Sequence, residues 1–157
     1  MRGTTGKIHF TLDIAGDREL SRSMHGYLGR VTNLKPWFER IKADWSATMK
    51  LKFQAEGAHE GDAWQPLSEK YARWKARHFA GKGILERTGT LRGQAEKPAT
   101  EITESSLRMS ITAPYAIYHQ SSEPRESNLP RRPFASLTGR QKSRWMRMLR
   151  EHLMRED

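Results

Sequence analysis

The first apolar pattern in the chain has a period of two. In KIHFTLDI, residues 7–14, every second side chain is apolar and the side chains between them are polar or charged. This alternation is typical of a strand with one buried face. We therefore predict a strand over residues 7–14, which Gly16 terminates. Four of its side chains are expected to face the core: Ile8, Phe10, Leu12 and Ile14.

The pattern changes to a helical period after Asp17, a suitable N-cap, and predicts a helix to about Thr32. A longer helix follows, with Pro36 in its first turn. Its apolar stripe recurs every four residues: Trp37, Ile41, Trp45, Met49 and Phe53. Aromatic residues between lysines can also stack on bases, but such platforms usually lie on sheets or in grooves. We interpret the stripe as core that faces the interior or a subunit contact.

Two shorter helices are predicted beyond a turn-rich linker. Ser68 is a candidate N-cap for a helix that carries Tyr71, Trp74 and His78 on one face, with basic residues elsewhere. Thr88 resembles the N-cap of a short helix over residues 89–96, which Pro98 stops.

The last third of the chain combines a hairpin, a loop and a basic helix. Alternating Leu107, Met109 and Ile111 predict one arm of a hairpin over residues 99–113, with a turn at 104–106. Residues 120–131 form a proline-containing extended loop without periodicity. Residues 138–157 form a C-terminal helix that is apolar on one side and rich in Arg and Lys elsewhere.

These elements predict one α+β domain over residues 1–157. The small antiparallel sheet, built from strand 7–14 and hairpin 99–113, is expected to pack against the long helix, with the C-terminal helix as an additional layer. The segment RPFASL, residues 132–137, is a candidate edge strand.

Composition removes several kinds of chemistry. The 157 residues include no Cys, which excludes disulfides, thiolate metal sites and cysteine nucleophiles. No apolar run approaches the length of a membrane span or of a signal peptide, so we expect a protein made and kept in a cytoplasm-like compartment. The net charge of +10 indicates either an anionic partner, such as nucleic acid, or a solvated surface. Both interpretations stay open, because the basic residues are scattered.

The loop GILERTGTLR, residues 83–92, is the best candidate for a phosphate-binding loop. It follows a helix and lacks the lysine position of a phosphate loop, so we interpret its glycines as the end of one helix and Thr88 as the start of the next. Arg92 can pair with Glu86 or Glu96, or reach a neighbouring subunit. His119 is the best candidate base, but a hydrogen-bonded structural histidine explains it as well. We expect no catalytic, cofactor or metal site, and no enzymatic activity.

Four short blocks occur in a familiar order: WQPL at 64–67, ILERTGTLR at 84–92, YAIYHQ at 115–120 and RPF at 132–134. In this order they resemble the phage virion morphogenesis family, the tail-completion or head–tail joining proteins of Mu-like phages. The matching residues are Trp64, Leu67, Leu85, Thr88, Gly89, Leu91, Arg92, Tyr115, Ala116, His119, Gln120, Arg132, Pro133 and Phe134.

The resemblance implies a structural virion protein, assembled in the host cytoplasm, at the neck of a tailed phage. Its expected partners are further copies of itself in a ring, with a hexamer expected, head-completion or connector proteins on one side, and the tail tube or tail terminator on the other. Contact with genomic DNA in the lumen is compatible with it, and no membrane is expected. We expect subunit or neighbour contacts at seven residues: Arg92, Arg125, Arg131, Arg132, Phe134, Trp145 and Arg147.

The alternative is a DNA-binding module that lays the basic C-terminal helix against phosphates. Salt dependence separates the two, because phosphate contacts weaken steeply as the salt concentration rises.

Overall fold

The computed structural model describes residues 18–120 and 129–155. This part of the chain forms the following elements: α1 (Arg18–Thr32), α2 (Lys35–Gln54), α3 (Glu69–His78), α4 (Thr90–Glu96), β1 (Ala99–Ile102), β2 (Leu107–Ser110), α5 (Ala116–Gln120) and α6 (Gly139–Leu153). The α+β class is therefore confirmed. The strand predicted over residues 7–14 and the cap at Asp17 lie outside the described residues.

Helix α2 is the centre of the fold, as its apolar stripe predicts. Ile41, Trp45, Met49 and Phe53 are buried, and Pro36 lies in the first turn. Trp37 is half-buried and donates its indole N–H to the carbonyl of Trp145 at 3.0 Å. The stripe is therefore core and contact with α6, and the base-stacking interpretation is wrong.

The core joins α2 to residues from most of the later elements. Phe53 meets Trp64 edge-on with 5.2 Å between ring centroids, and Phe134 lies 6.1 Å from Phe53. Leu91 and Ala95 of α4 complete this cluster against α2. Burial of these apolar surfaces supplies the main stabilisation, at about 25 cal/mol per Å² removed from water.

The hairpin is confirmed. Strands β1 and β2 are antiparallel, with Ala99 opposite Ser110 and Ile102 opposite Leu107. The turn is held by the Thr103 hydroxyl, which accepts the backbone N–H of Ser106 at 3.0 Å. Strand β1 contacts α2, so the predicted packing of the sheet on the long helix is observed for these two strands.

Two predictions, an edge strand and a helix cap, are wrong. Residues 132–137 form no strand, because the backbone N–H groups of Phe134 and Ala135 donate to the side chain of Gln120 instead of to a neighbouring strand. The short helix α4 is capped by Gly89, in a left-handed conformation with φ of 86°, and not by Thr88. The Thr88 hydroxyl lies one residue earlier and accepts the N–H of Thr90 at 3.4 Å.

The remaining helix starts are close to expectation. The Ser68 hydroxyl accepts the N–H of Tyr71 at 3.4 Å, and that of Thr138 accepts the N–H of Gln141 at 3.1 Å, so both residues cap their helices. Gln120, expected to open the extended loop, is the last residue of α5. Residues 121–128, with Arg125, lie outside the described residues.

Candidate functional site

The four family-like blocks line one groove of about 920 Å³. We call it the motif groove. The family-matching residues that line it are Leu67, Leu85, Thr88, Gly89, Leu91, Tyr115, His119 and Arg132, and helix α3 adds Tyr71 and Lys75. Blocks that lie up to 65 positions apart, from Leu67 to Arg132, therefore build a single surface feature.

Polar side chains of the blocks tie the walls of the groove to each other. The Trp64 indole N–H donates to the carbonyl of Pro133 at 3.1 Å. The side-chain oxygen of Gln120 accepts the backbone N–H of Phe134 at 2.7 Å. The backbone N–H of Arg132 donates to the carbonyl of His119 at 3.2 Å. These bonds fix the first, third and fourth blocks in one arrangement.

Arg132 places a buried positive charge at the groove. Only 5% of the residue is exposed. Its guanidinium donates to the carbonyls of Gln65 at 2.7 Å and Pro66 at 3.0 Å, and no carboxylate of the described residues lies within ion-pair distance. Burial lowers the pKa of Arg132, as expected when a charge loses hydration without gaining an opposite charge.

Lys75 adds a second buried cation, from α3. Its ammonium donates to the carbonyl of Gly83, and burial lowers its pKa, although Glu86 and Glu56 oppose that change. The sequence pattern placed Lys75 away from the apolar face of its helix. The turn that follows α3 folds back over this face, which single-helix periodicity cannot show.

The loop at residues 83–89 is held by internal bonds. The N–H of Gly83 donates to the Glu86 carboxylate at 3.1 Å, and that of Ile84 donates to the Glu56 carboxylate at 2.9 Å. These amides are already used by the chain, which supports the structural interpretation over a phosphate loop. Leu85 has φ of 62°, an uncommon left-handed conformation for a residue with a side chain, and it lines the groove.

Arg92 makes both of the ion pairs that the sequence left as alternatives. Its guanidinium donates to Glu86 at 2.5 Å and to Glu96 at 2.6 Å. The hydrogen bonds to Glu96 and Glu86 raise the pKa of Arg92. Contact of Arg92 with a neighbouring subunit stays a prediction.

An aromatic ledge continues the groove outward along α3. Tyr71 stacks on Trp74 with 5.4 Å between ring centroids, and Trp74 stacks on His78 at 4.7 Å. The guanidinium carbon of Arg87 lies 5.9 Å from the Trp74 ring centroid. The predicted common face of these three α3 residues is observed, but Tyr71 and Trp74 are about 40% exposed.

The other residues expected at interfaces are spread over the molecule. Arg131 and Arg147 are exposed, whereas Phe134 is 1% exposed and belongs to the core of the chain itself. Trp145 is half-buried and donates its indole N–H to Asp44 at 2.7 Å. The structure therefore brings Arg132 to the groove and leaves Arg147 and Trp145 on α6.

Helix α6 carries a separate basic surface. Its exposed cations are Arg140, Lys142, Arg147 and Arg150. Arg144 is not part of this surface, because it donates to Asp44 at 2.5 Å and to Glu60 at 2.7 Å.

Two kinds of feature are absent from the described part of the chain. Residues 18–120 and 129–155 contain no group of three His, Asp or Glu side chains that could hold a metal ion. Within the same ranges, no helix combines the length and apolar character that crossing a bilayer requires.

Comparison with known families identifies the chain at the family level. The model of the phage virion morphogenesis family matches residues 16–154, which include all four blocks of the motif groove. No curated protein and no solved structure gives a significant match.

Proposed function

Because the chain belongs to the phage virion morphogenesis family, we propose that it is a neck protein of a tailed phage that joins the DNA-filled head to the tail. Family membership by itself supports a structural role in virion assembly and association with the virion. The neck position, the ring and the neighbours belong to the proposal.

The observation that carries the proposal is the construction of the motif groove. The polar side-chain groups of Trp64, Gln120 and Arg132 form hydrogen bonds with backbone carbonyls and amides of the chain. Such bonds give a preorganised surface, which lowers the ordering cost when a partner binds. A preorganised groove built by the family-like blocks is suited to docking a partner protein during assembly.

The proposed neck assembly is a ring of copies of this chain. In a closed ring each subunit presents two different surfaces to its neighbours, so contacts are heterologous. We propose a hexamer that contacts head-completion or connector proteins on one side and the tail tube or tail terminator on the other. The basic surface of α6 would be available to DNA that passes through the lumen.

Electron microscopy of lysates from a phage that lacks the gene tests this function. We expect filled heads and complete tails that are not joined, and joined particles once the wild-type chain is supplied from a plasmid. Joined particles without the chain, or a block before heads are filled, would contradict the neck assignment. Mass measurement of the purified chain and of the isolated neck would give the ring size.

A second function, DNA binding through α6, is favoured by the four exposed cations of that helix. It requires duplex affinity of the isolated chain that falls steeply with salt. Each phosphate contact that is lost should reduce the salt slope by about one unit. We expect Arg147→Gln and Arg150→Gln to do so if this function holds, and a salt-independent or undetectable affinity would exclude it.

A further inference from the structure

The motif groove contains positive charge that its own lining does not neutralise. Arg132, Lys75 and Arg87 line the groove, and Glu86 is the sole carboxylate among the described residues that line it. Glu86 already accepts from Arg92 at 2.5 Å and from the N–H of Gly83 at 3.1 Å. Among the described residues, only carbonyl oxygens accept from the guanidinium of Arg132. The groove is therefore complementary to a negative charge.

Most of the other lining residues are apolar or aromatic, and the remaining polar ones are Gln65, Ser68, Thr88 and His119. Leu67 and Leu85 are half-buried, Leu129 is 58% exposed, and Tyr115 is 40% exposed. A buried cation among apolar lining residues suits a ligand with a carboxylate between apolar side chains. The volume, about 920 Å³, is that of a site for a few residues of an extended peptide.

We propose that the motif groove is the docking site for an extended acidic segment of another virion protein. A carboxylate of the segment pairs with Arg132, and the flanking apolar side chains lie on Leu67, Leu85 and Tyr115. This inference rests on the proposed function and deepens it, because it names the chemistry of one partner.

Charge and shape select this occupant over two others. A second copy of the chain carries a net charge of +10, so a cationic groove attracts it less than it attracts an acidic partner. A DNA duplex would bring phosphates to an open surface, but Arg132 is only 5% exposed. A single side chain reaches such a position more easily than a duplex backbone does.

Photo-cross-linking in assembled particles identifies the occupant. Benzoyl-phenylalanine replaces Tyr115 in the groove, and in a control it replaces Tyr118, which is 54% exposed and does not line the groove. We expect the Tyr115 probe alone to cross-link an Asp- or Glu-containing segment of a different virion protein, identified by mass spectrometry. A cross-link to another copy, to DNA or to nothing overturns the inference. Absence of the chain from particles overturns the proposed function, and the inference with it.

A charge pair at Thr88 then tests the recognition. Thr88 is exposed and lines the groove, so Thr88→Glu and Thr88→Lys alter its charge with side chains of similar size. We measure binding of the synthetic cross-linked segment by fluorescence anisotropy, with folding checked by circular dichroism. Thr88→Glu should weaken binding about tenfold or more, and Thr88→Lys should not weaken it, because a carboxylate at the rim repels the acidic segment.

Two further binding measurements are compared with binding of the unmodified peptide to the wild-type chain. Replacing the Asp and Glu residues of the peptide by Asn and Gln should weaken binding by about tenfold, the effect of losing a charge-assisted contact. Arg132→Gln should weaken it similarly, whereas Arg131→Gln, an exposed neighbour outside the groove lining, should not. Equal binding by the two Thr88 variants, together with equal binding by the neutral peptide, would overturn the inference.

Discussion

Two arginines of this chain, Arg144 and Arg132, are both largely shielded from solvent, but among the described residues only Arg144 is paired with carboxylates. Arg144 donates to both oxygens of Asp44, at 2.5 and 3.1 Å, and to Glu60 at 2.7 Å. Its side chain is 22% exposed, and each carboxylate side chain is 13% exposed. Arg132 is more deeply buried, and within residues 18–120 and 129–155 its guanidinium donates only to the carbonyls of Gln65 and Pro66.

The difference separates a structural clamp from the cation that we propose as a binding feature. Arg144 joins α6 to α2 and to the turn at Glu60, and its charge is fully used within the chain. Hydrogen bonds to Asp44 and Glu60 raise the pKa of Arg144, whereas burial lowers the pKa of Arg132. Arg132 thus keeps a charge that an incoming carboxylate can neutralise.

The largest effect on stability is expected at the clamp. Arg144→Met leaves Asp44 and Glu60 partly buried without their cation, which should lower the free energy of unfolding by about 3 to 5 kcal/mol. Urea denaturation measures this, and Arg147→Met, at an exposed position of the same helix, is the matched control. A loss under about 1 kcal/mol, the usual value of a surface ion pair, would show that the clamp does not hold α6.

The groove arginine should matter less for stability. Arg132→Met leaves two buried carbonyls without a hydrogen-bond donor but leaves no unpaired carboxylate. We therefore expect the free energy of unfolding to fall by about 1 to 3 kcal/mol. The same urea titration applies, with the exposed Arg131→Met as control. If Arg132→Met cost as much as Arg144→Met, the two arginines would have the same structural role and the comparison would fail.

Acid should affect the clamp through Glu60. Its pKa is held below the ordinary value of 4.5, chiefly by the hydrogen bond from Arg144. A carboxylate with a lowered folded-state pKa contributes its full stabilisation above its unfolded-state pKa. That stabilisation is lost as the pH falls through the folded-state pKa. We expect the free energy of unfolding to fall below about pH 4.5 and to fall less in Glu60→Gln. Parallel pH curves for the two proteins would exclude this linkage.

The smallest effect is expected at Lys75, where stability also rises with pH but in the alkaline range. Burial lowers the pKa of this ammonium below the ordinary 10.5, so the unfolded chain binds the proton more tightly than the folded chain. Stability should therefore rise as the pH approaches 10.5. Lys75→Met should remove that contribution, whereas Lys70→Met, exposed on the same helix, should retain it. An equal rise in both variants would show that burial of Lys75 carries no proton linkage.

Much of the fold could be predicted from periodicity. The stripe from Trp37 to Phe53 identified the central helix, and alternation at Leu107 and Met109 identified the hairpin. Local pattern failed at residues 132–137, whose backbone bonds depend on the side chain of Gln120 from another element. Propensity alone cannot reveal such a tertiary contact.

The groove was only partly accessible from the sequence. The ordered blocks identified its lining through a family resemblance, yet their convergence depends on bonds between distant residues, such as Arg132 with Gln65. Burial of Lys75 was missed because a lysine on a short helix is ordinarily solvated. The two acidic partners of Arg144 lie 84 and 100 positions away in the chain, which no local spacing encodes.

The infectious titre of a phage that lacks the gene, complemented with the Thr88 pair, tests most directly whether the groove is used in virion assembly. With both variants folded and equally abundant, we expect Thr88→Lys to restore the titre and Thr88→Glu to leave heads and tails unjoined. Equal restoration by Thr88→Glu and Thr88→Lys would contradict the account, because a groove that accepts an acidic segment cannot tolerate a carboxylate at its rim.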